Sequence, residues 1–478
     1  MGKTDKKGDI PLAVDLDGTL VSTDLLWESL FVLLKKNILY VFLLPVWLLS
    51  GKANLKTQIA ARIGLDAARL PYRQDFLEFL RAEHAAGRRL VLATAAAEPL
   101  AHAVAHELGI FDAVHATTAS RNLSSNRKAK ELCEHYGANG FDYAGNDRAD
   151  IAVFRVAREA IVVAPDRSVA RYQKAHASRL FEKKPLQPRT YLRMLRVHQW
   201  LKNLLVFVPV MLAHDVFRWG AIGAAALAFA AFCATASAIY ILNDIVDLPV
   251  DRQHIRKKNR PFASGALGIP FGLSVTVLLL VVAGAICLML PPAFALALGI
   301  YLITTTAYSF FVKRMLLIDV ICLAALYSFR LLGGMAAATI PLSFWLMAFA
   351  MFFFLSLALL KRYVELQNST VTEKDRIAGR GYRPEDIDIV GQSGVASAFT
   401  SALVLALYIN SNSVGALYIY PWLLWPLVLI VLYIIVRIWI LAHRGEMHDD
   451  PVVFIASDWR SMMMVAIGAV LLFLAAVG

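Results

Sequence analysis

The pattern of apolar and polar positions divides the chain into two parts. Up to about residue 190, charged and apolar residues mix in short runs, with turn signals such as Asp17-Gly18. From about residue 197 onward we count about nine apolar segments of spanning or near-spanning length, since a helix needs about 20 apolar residues to cross a bilayer. The first of them, 197–214, is interrupted by Lys202. The pattern predicts a soluble N-terminal domain followed by an all-α polytopic membrane bundle.

Composition indicates that most of the chain lies in lipid. Of its 478 residues, 58% are hydrophobic, whereas soluble proteins have about 45–50% apolar residues. The four cysteines include no close pair, so neither a disulfide nor a zinc site is expected. The N-terminal stretch MGKTDKKGDIP lacks the apolar core of a signal peptide, and we therefore expect the soluble domain to stay in the cytosol.

Charge in the loops predicts the orientation in the membrane. The net charge is +12, and in the apolar half the Lys and Arg residues collect in the loops 243–268, 312–314, 361–393 and 442–460. Basic loops remain on the cytoplasmic side of a membrane. We therefore expect a multi-pass protein of the inner (cytoplasmic) membrane, with the N-terminal domain and the active site facing the cytoplasm. The lipid bilayer is expected as a partner, and nucleic acid is not.

An acidic motif ends the second apolar segment, in LNDIVDLPVDRQHIRKKNRP at 242–261. Four polar positions of this stretch are spaced three or four residues apart, so on a helix they would share roughly one face. They are Asn243, Asp244, Asp247 and Asp251. Crowded carboxylates beside lipid are costly unless a cation compensates them, and Mg²⁺ prefers such hard oxygen ligands together with phosphate oxygens. The motif predicts a clamp for Mg²⁺ and a diphosphate. The alternative is a helix end capped by acids and followed by an ordinary basic loop.

The arrangement Asn-Asp-x-x-Asp-x-x-x-Asp at 243–251 resembles the first signature of the UbiA superfamily of intramembrane transferases. The resemblance covers about residues 190–478. It implies an all-helical bundle with a central cavity, a polyprenyl lipid substrate, and Mg²⁺ that binds the diphosphate of the donor. Departure of that diphosphate leaves an electrophilic carbon.

The second signature of this superfamily normally has the form Asp-x-x-x-Asp, and this chain departs from it. The stretch YSFFVKRMLLID at 308–319 ends in a lone Asp319, followed four positions later by Leu323. This pattern resembles the branch that transfers phosphoribose from phosphoribosyl diphosphate to a polyprenyl phosphate. Three further stretches point the same way: RVHQWLKNLLVFVP at 196–209, LALLKRYVEL at 357–366 and GRGY at 379–382.

This resemblance gives Asp319 a catalytic role and marks a set of residues for the donor and the acceptor. Both substrates carry phosphates beyond the clamped diphosphate, and phosphates favour cations. The predicted substrate-binding residues are Lys202, Asn203, Asn243, Arg252, Arg260, Tyr308, Lys313, Lys361, Arg362 and Arg380. The positive-inside tendency alone would account for about half of the cations. Three residues of the last loop, His448, Asp449 and Asp450, are left outside the predicted site because a solvated loop explains them equally well.

Near the N-terminus, PLAVDLDGTL at 11–20 predicts a short buried strand that ends in two acids and a glycine turn. It resembles the first motif of haloacid-dehalogenase-like hydrolases, which implies an α/β Rossmann-like domain. In that family the first acid, here Asp15, attacks phosphorus, and the second, here Asp17, is the general acid and base. The alternative is a degenerate domain retained as a scaffold.

The other motifs of that family follow in the expected order. Thr94, after an apolar strand at 90–93, matches the phosphate-binding residue, and Lys128, with Lys130 as a rival, matches the basic residue. In GNDRAD at 145–150, Asn146 replaces the first Asp of the fourth motif, and an amide is a weaker Mg²⁺ ligand than a carboxylate. The predicted magnesium ligands are Asp15, Asp17, Asn146 and Asp150 in this half, and Asp244, Asp247 and Asp251 in the membrane half.

These patterns predict a hydrolase domain at 9–178 with a cap insertion at about 21–88, a linker at 179–195 and a membrane transferase domain at 196–478. The apolar stretch 38–50 is too short to span, so we assign it to the cap, resting on the membrane surface or on the helical bundle. The predicted function is Mg²⁺-dependent transfer of phosphoribose to a polyprenyl phosphate, followed by removal of the 5-phosphate. The alternatives are prenylation of an aromatic ring and, in another class, a transporter or lipid-binding membrane protein that uses the carboxylates to carry ions.

Overall fold

The computed structural model describes residues 10–176, 178–183, 185–213, 218–368, 381–447 and 450–477. The chain divides into two compact units. The first unit consists of Met1–Leu195 and Tyr240–Val275, and the second of Arg196–Ile239 and Thr276–Gly478. The acidic motif at 243–251 therefore belongs to the same compact unit as the N-terminal half.

A parallel sheet forms the centre of the first unit. Its strands are β1 Leu12–Val14, β2 Leu90–Ala97, β3 Ala113–Thr117, β4 Asp142–Gly145, β5 Ala160–Val163 and β6 Arg179–Phe181. They lie in the order β3-β2-β1-β4-β5-β6, and Val14 pairs with Leu92 of β2 and Ala144 of β4. Because the chain changes direction across the sheet at β1, residues that follow this strand enter a crevice at the carboxyl edge. This crevice receives Asp15.

The inner strands β1, β2, β4 and β5 are buried on both faces, which explains why their residues are mostly apolar. In β1, Leu12 and Val14 pack into one apolar cluster, whereas Ala13 packs into another. The helices of residues 10–195 are α1 Leu25–Lys36, α2 Leu44–Leu49, α3 Lys52–Ala60, α4 Gln74–Ala85, α5 Glu98–Leu108, α6 Asn126–Tyr136, α7 Ile151–Phe154, α8 Arg167–Ala175 and α9 Pro188–Leu195.

The stretch predicted to be part of a cap folds as a 3-10 turn, Ile38–Phe42, followed by the short helix α2. Trp47 of α2 packs against Leu33 of α1 and Ile59 of α3. Phe42 and Leu49, in contrast, are 73% and 89% exposed. The stretch therefore presents one packed side and one exposed apolar side.

The remaining helices lie after residue 207. They are α10 Val208–Leu212, α11 Trp219–Val246, α12 Leu248–Gln253, α13 Ile269–Cys287, α14 Pro292–Phe310, α15 Ile318–Ala338, α16 Phe344–Asn368, α17 Ile387–Ile409, α18 Asn412–Leu417, α19 Trp425–His443, α20 Pro451–Ser457 and α21 Trp459–Val477. Among the described residues, eight helical segments are long and apolar enough to cross a membrane, and they contain α11, α13, α14, α15, α16, α17, α19 and α21. The protein is a multi-pass membrane protein.

The predicted segment 197–214 differs from these eight. It forms a 3-10 helix, Val197–Phe207, followed by the five-residue helix α10. Lys202 and Asn203 are buried within it and bind polar partners, and Pro209 lies in the first turn of α10. Polar side chains that need partners, together with a proline that cannot donate a backbone hydrogen bond, explain why a continuous spanning helix does not form here.

Apolar contacts organise the second unit into packed groups of helices. One core cluster joins α15, α16, α17 and α19, and another joins α10, α14, α15 and the first part of α11. Gly334 of α15 lies directly against the backbone of Val206. A Cβ at Gly334 would lie 2.1 Å from the carbonyl oxygen of Val206, so a larger residue would push apart the two segments that carry Lys202 and α15.

Candidate functional site

Four buried polar side chains meet at the carboxyl edge of the sheet. Lys128 of α6 donates to Asp15 at 2.7 Å and lies 3.3 Å from Asp150. Tyr143 of β4 donates to Asp150 at 2.6 Å and accepts from Lys128 at 2.8 Å. One ammonium group is therefore shared by two carboxylates and a phenol.

Lys128, and not its rival Lys130, belongs to this network. Two residues apart on α6, these lysines cannot point to the same side of the helix. The side chain of Lys128 is 4% exposed, whereas that of Lys130 is 79% exposed and lies near Glu134 on the surface.

A cavity of about 160 Å³ opens beside this network. The charged residues that line it are Asp15, Asp17, Asp24, Lys56, Lys128, Asp147 and Asp150. Sequence reasoning missed Asp24, Lys56 and Asp147. Lys56 comes from cap helix α3, where no motif marks it, and its Nζ donates to the carbonyl oxygen of Ala95 at 2.6 Å.

Asp17 and Thr94 are placed differently with respect to the cavity. Asp17 lines it, and one of its oxygens accepts the backbone N–H of Leu25 at 2.9 Å. Thr94 is fully buried, and its hydroxyl accepts the backbone N–H of Ala96 at 3.0 Å. The three residues after it, 95–97, line the cavity instead.

The fourth motif brings Asp147, rather than Asn146, to the cavity wall. Asn146 accepts the hydroxyl hydrogen of Thr19 at 3.1 Å and packs against Gly18, where a Cβ would lie 2.3 Å from the amide nitrogen. Gly18 has a φ of +74° in this turn, a conformation that favours glycine. The carboxylate that the fourth motif lacks at position 146 is thus available one residue later.

Burial and mutual repulsion raise the pKa of Asp15 and of Asp17. Burial raises the pKa of Asp15 to about 7; Asp150 adds to the rise, and Lys128 opposes it. Burial together with Asp24 raises the pKa of Asp17 well above its usual value. For Lys128, burial lowers the pKa, but Asp15 and Asp150 outweigh it and the net shift is upward. The network holds more carboxylates than cations, which favours a bound divalent cation.

The acidic motif does not form one continuous helical ladder. Helix α11 ends at Val246 and α12 begins at Leu248, with Pro249 in its first turn, so the helix is broken at Asp247. Because proline lacks an N–H and disfavours helical geometry before it, the motif is carried by two helices. Asn243 and Asp244 lie on the first and Asp251 on the second.

Two carboxylates of the motif converge despite this break. Arg260 Nη1 lies 3.0 Å from Asp244 Oδ1 and 2.6 Å from Asp251 Oδ2, and both carboxylates are buried. One cationic nitrogen thus sits within hydrogen-bonding distance of both acids. This arrangement fits a divalent cation, since the same two carboxylates can face a single positive centre.

Asp247 of the motif and Arg252, which directly follows the motif, have partners from the N-terminal half of the same unit. Asp247 Oδ1 accepts from Lys35 Nζ at 2.6 Å. Arg252 forms a two-point ion pair with Glu28, in which Nη2 and Oε2 are 3.0 Å apart, and also donates to the carbonyl oxygen of Ala263. Arg252, predicted to bind substrate, is therefore bound to a carboxylate of the protein itself.

A second polar cluster lies in the second unit. Lys202 Nζ is 2.6 Å and Lys361 Nζ is 3.5 Å from the same oxygen of Asp450, and Tyr327 donates to its other oxygen at 3.4 Å. Burial raises the pKa of Asp450, but Lys361 and Lys202 outweigh it and hold the value at about 2. Asp450 was left outside the site predicted from the sequence, because the sequence does not distinguish an acidic loop residue that is solvated from one that is buried.

Asp319 and Arg362 form a separate buried pair in that unit. Arg362 Nη2 lies 2.5 Å from Asp319 Oδ2, and Tyr382 donates to Asp319 Oδ1 at 2.8 Å. Arg362 also pairs with Glu365. Both oxygens of Asp319 are therefore engaged by the protein, which indicates that this acid fixes Arg362 and Tyr382 in place.

The remaining predicted residues are more dispersed. Asn203 accepts from Arg330 Nε at 2.7 Å and donates to Cys233. Tyr308 lies in α14, and Lys313 lies in the 3-10 turn Val312–Arg314, where it is half-buried. Arg380, His448 and Asp449 lie outside the described residues.

Comparisons with known proteins match both halves of the chain. Residues 204–466 match the model of the UbiA prenyltransferase family, and residues 12–155 match that of haloacid dehalogenase-like hydrolases. The chain is 36% identical to the uncharacterized protein y4nM of Sinorhizobium fredii, over 96% of this chain and 89% of that one. It is 31% identical to the decaprenyl-phosphate phosphoribosyltransferase of Corynebacterium glutamicum, over 50% of this chain and 76% of that one. A solved structure of a UbiA homolog from Archaeoglobus fulgidus bound to DMAPP and Mg²⁺ is similar to 59% of this chain and 98% of its own, with 17% identity and a TM-score of 0.47.

Proposed function

Because this chain belongs to the UbiA prenyltransferase family and carries a haloacid-dehalogenase-like hydrolase domain, we propose that it makes and then dephosphorylates a lipid-linked sugar. The transferase domain, 196–478, moves phosphoribose from phosphoribosyl diphosphate to a polyprenyl phosphate. The hydrolase domain, predicted as 9–178 with its cap at 21–88, also includes strand β6 Arg179–Phe181 of the same sheet and removes the 5-phosphate of that product. The rest of the predicted linker 179–195, from residue 182 onward, joins the two domains.

The observation that carries this choice of substrates is the pair of lysines on Asp450. Lys202 and Lys361 place two ammonium groups at one buried carboxylate of the second unit. Phosphoribosyl diphosphate and a polyprenyl phosphate both bring phosphates that such a cluster would bind, whereas an aromatic acceptor brings none. The phosphoribosyltransferase relative from Corynebacterium glutamicum supports the same choice.

The state of Asp319 argues against the aromatic alternative. Prenylation of an aromatic ring by this superfamily relies on a second pair of metal-binding carboxylates. In this chain the corresponding segment has Asp319, whose two oxygens are held by Arg362 and Tyr382. We assign to Asp319 the positioning of Arg362, which leaves metal binding to the first acidic motif.

We expect Mg²⁺ at both centres. Its ligands in the transferase would be Asp244, Asp247 and Asp251, and in the hydrolase Asp15, Asp17, Asp147 and Asp150, with Asn146 supporting the turn. When bound, Mg²⁺ neutralises the negative charge of the departing diphosphate and of the phosphate under attack. In the transfer itself, a phosphate oxygen of the lipid forms a bond to C1 of the ribose while the bond from C1 to the diphosphate breaks.

In the hydrolase domain, the residues of this chain supply the nucleophile and the proton. A carboxylate oxygen of Asp15 forms a bond to phosphorus as the bond from phosphorus to the ribose 5-oxygen breaks, and Asp17 gives its proton to that oxygen. Water then attacks the acyl phosphate, Asp17 takes a proton from the water, and inorganic phosphate leaves. Lys128, which contacts Asp15 at 2.7 Å, offsets the charge that builds on phosphorus.

We place both reactions at the cytoplasmic face of the inner membrane, because the basic loops of the helical half are predicted to lie there. The donor is water-soluble and reaches this face directly. The polyprenyl acceptor stays in the bilayer throughout.

Two labelled donors test the proposed function. Purified protein in lipid, with Mg²⁺ and polyprenyl phosphate, is supplied either with phosphoribosyl diphosphate labelled in the ribose or with a labelled prenyl diphosphate and an aromatic acceptor. We expect label from the ribose donor in the lipid fraction. Label that enters only from the prenyl donor would contradict the proposal and favour the aromatic reaction.

A further inference from the structure

The C-terminal end of helix α1, which belongs to the predicted cap, contacts the acidic motif. Lys35, in the last turn of α1, donates to Asp247 Oδ1 at 2.6 Å, and its Nζ lies 3.5 Å from the carbonyl oxygen of Val246. The two side chains are 27% and 28% exposed. The ammonium group of Lys35 therefore occupies a position beside Asp247 that a metal ion or water could also take.

A second contact fixes α12 against the same helix. Glu28, in the first turn of α1, pairs with Arg252 of α12, and the two side chains are only 5% and 7% exposed. Thr23 donates to the same carboxylate at 3.1 Å, and Arg252 also donates to Ala263. Removing the charge of one partner of such a pair leaves the other charge buried without compensation. This pair therefore holds α12, and Asp251 with it, firmly against α1.

The same helix borders the cavity of the hydrolase domain. Asp24, the N-cap of α1, lines that cavity, as does Ser29. The backbone N–H of Leu25 donates to Asp17 at 2.9 Å. A single helix of 12 residues, about 18 Å long, thus lines the hydrolase cavity with its first turns, contacts Asp247 of the acidic motif with Lys35, and contacts the adjoining Arg252 with Glu28.

The loop after the motif, at Gly265, packs closely against the segment that precedes α1, at Ser22. Gly265 has a φ of +70°, and a Cβ there would lie 2.2 Å from the hydroxyl of Ser22. This close approach adds a steric contact to the two ion pairs. It supports an interface formed specifically between the cap and the residues around the motif.

We propose that Glu28 and Lys35 of the hydrolase cap are positioning residues for the metal clamp of the transferase. Glu28 holds Arg252, and through it α12, so that Asp251 faces the same centre as Asp244. Lys35 neutralises Asp247 in the absence of metal and leaves this carboxylate when a divalent cation binds. The inference rests on the proposed function for the assignment of the acidic motif as the metal clamp.

The two residues should have opposite effects on metal affinity. Removing the charge of Lys35 frees Asp247 from a competing cation, so Lys35→Met should lower the Kd for metal by about three- to fivefold, the scale of a partly exposed ion pair. Removing the charge of Glu28 leaves Arg252 buried without its partner, so Glu28→Gln should raise the Kd by at least about tenfold. A general loss of stability would instead weaken binding in both variants.

The experiment measures binding of Mn²⁺ to the full-length protein by electron paramagnetic resonance, without donor or acceptor. Sites that disappear in an Asp244→Asn variant are assigned to the acidic motif. Lys36→Met is the matched control, because Lys36 lies in the same turn of α1 but donates to the carbonyl oxygen of Arg62. Thermal unfolding of each variant shows whether it is folded. The double variant Glu28→Gln, Arg252→Gln should bind metal as weakly as Glu28→Gln, because it also lacks the ion pair that holds α12; recovery of the affinity would contradict the positioning role of Glu28.

A tighter site in Lys35→Met, a weaker site in Glu28→Gln and an unchanged site in Lys36→Met are the expected results. A Kd in Lys35→Met equal to that of Lys36→Met, or weaker binding in both Lys35→Met and Glu28→Gln, would overturn the inference. Failure of the proposed function has a different signature, namely the expected pattern of Mn²⁺ affinities in a protein that transfers no phosphoribose. If Asp244→Asn removes no Mn²⁺ site, both the assignment of the acidic motif as a metal clamp and the inference about Glu28 and Lys35 are contradicted.

Discussion

The hydrolase centre and the acidic motif are both groups of carboxylates beside cations, but they are neutralised in different ways. In the hydrolase centre, Lys128 is 4% exposed and is shared by Asp15 and Asp150. In the acidic motif, the cations Lys35 and Arg260 are 27% and 28% exposed. Lys128 is buried within its site, whereas Lys35 and Arg260 lie where solvent and ligands can reach them. The difference suggests that the acidic motif exchanges its protein cations for metal and phosphate, and that the hydrolase centre keeps its lysine throughout.

The largest effect should follow from neutralising the acidic motif. Asp244→Asn or Asp247→Asn removes one charge without adding bulk, and we expect phosphoribose transfer to fall by at least about a hundredfold at limiting Mg²⁺, with the protein still folded in membranes. Transfer of the ribose label into lipid measures this. Asp75→Asn, an exposed acid of α4, is the control. Near wild-type turnover in either motif variant would mean that the acids do not bind metal.

Cations of the second unit come next. We expect Lys202→Met and Lys313→Met each to raise the apparent Kd for the donor or to slow turnover by at least about tenfold, because a charge-assisted phosphate contact contributes about 1.5–3 kcal/mol. Initial rates over a range of donor concentrations measure this.

Asp450 makes the test of Lys202 sharper, since Lys202→Met also removes a partner of that acid. In the double variant Lys202→Met, Asp450→Asn the unpaired acid is gone. If Lys202 binds phosphate, the double variant stays slow. Recovery of activity would show that Lys202 only neutralises Asp450. Unchanged kinetics in both single variants, Lys202→Met and Lys313→Met, would show that these lysines do not bind phosphate and are explained by the positive-inside tendency of membrane proteins.

The pH dependence of the hydrolase should report the buried state of Asp15. Its pKa is raised to about 7 by burial, so the group is mostly protonated below that pH and must lose its proton to bind metal and attack phosphorus. We expect the Mg²⁺ concentration for half-maximal phosphate release to rise about tenfold for each pH unit below 7 and to level off above 8. A requirement for Mg²⁺ that is flat between pH 6 and 8 would contradict a raised pKa in the working enzyme.

The smallest effect is expected at Asn146. Its side chain accepts from Thr19 and packs against Gly18, so Asn146→Asp should change the Mg²⁺ requirement of phosphate release by less than about threefold. Asp147→Asn, which alters the residue that lines the cavity, should raise that requirement by at least about tenfold. The reverse order of effects would place the metal ligand at Asn146.

The sequence predicted the hydrolase domain and the helical half because each rests on short-range signals. A buried strand followed by two acids, as in Val14-Asp15, marks the edge of a parallel sheet, and apolar length marks spanning helices. The family matches and the fold confirm these two domain types. Roles of single residues within them remain predictions.

Features that depend on distant partners could not be predicted in the same way. Lys35 and Asp247 are 212 residues apart in sequence, and Lys202 and Asp450 are 248 apart. No local pattern distinguishes a cation that pairs across such a distance from one that faces solvent. The break at Asp247 had a local signal in Pro249, which the four-residue spacing of the acids outweighed in the sequence interpretation. The choice between Asn146 and Asp147 depended on which side chain a tight turn directs into the cavity.

The central claim, that one chain makes a phosphorylated lipid-linked sugar and then dephosphorylates it, is tested most directly by mass spectrometry of the lipid product. Wild type and Asp15→Asn are each supplied with Mg²⁺, phosphoribosyl diphosphate and a polyprenyl phosphate. We expect the wild type to accumulate the lipid-linked ribose without its 5-phosphate, and Asp15→Asn to accumulate the product with that phosphate in place. The same phosphorylated product from both proteins would contradict the claim and reduce the hydrolase domain to a scaffold or to an enzyme for another substrate.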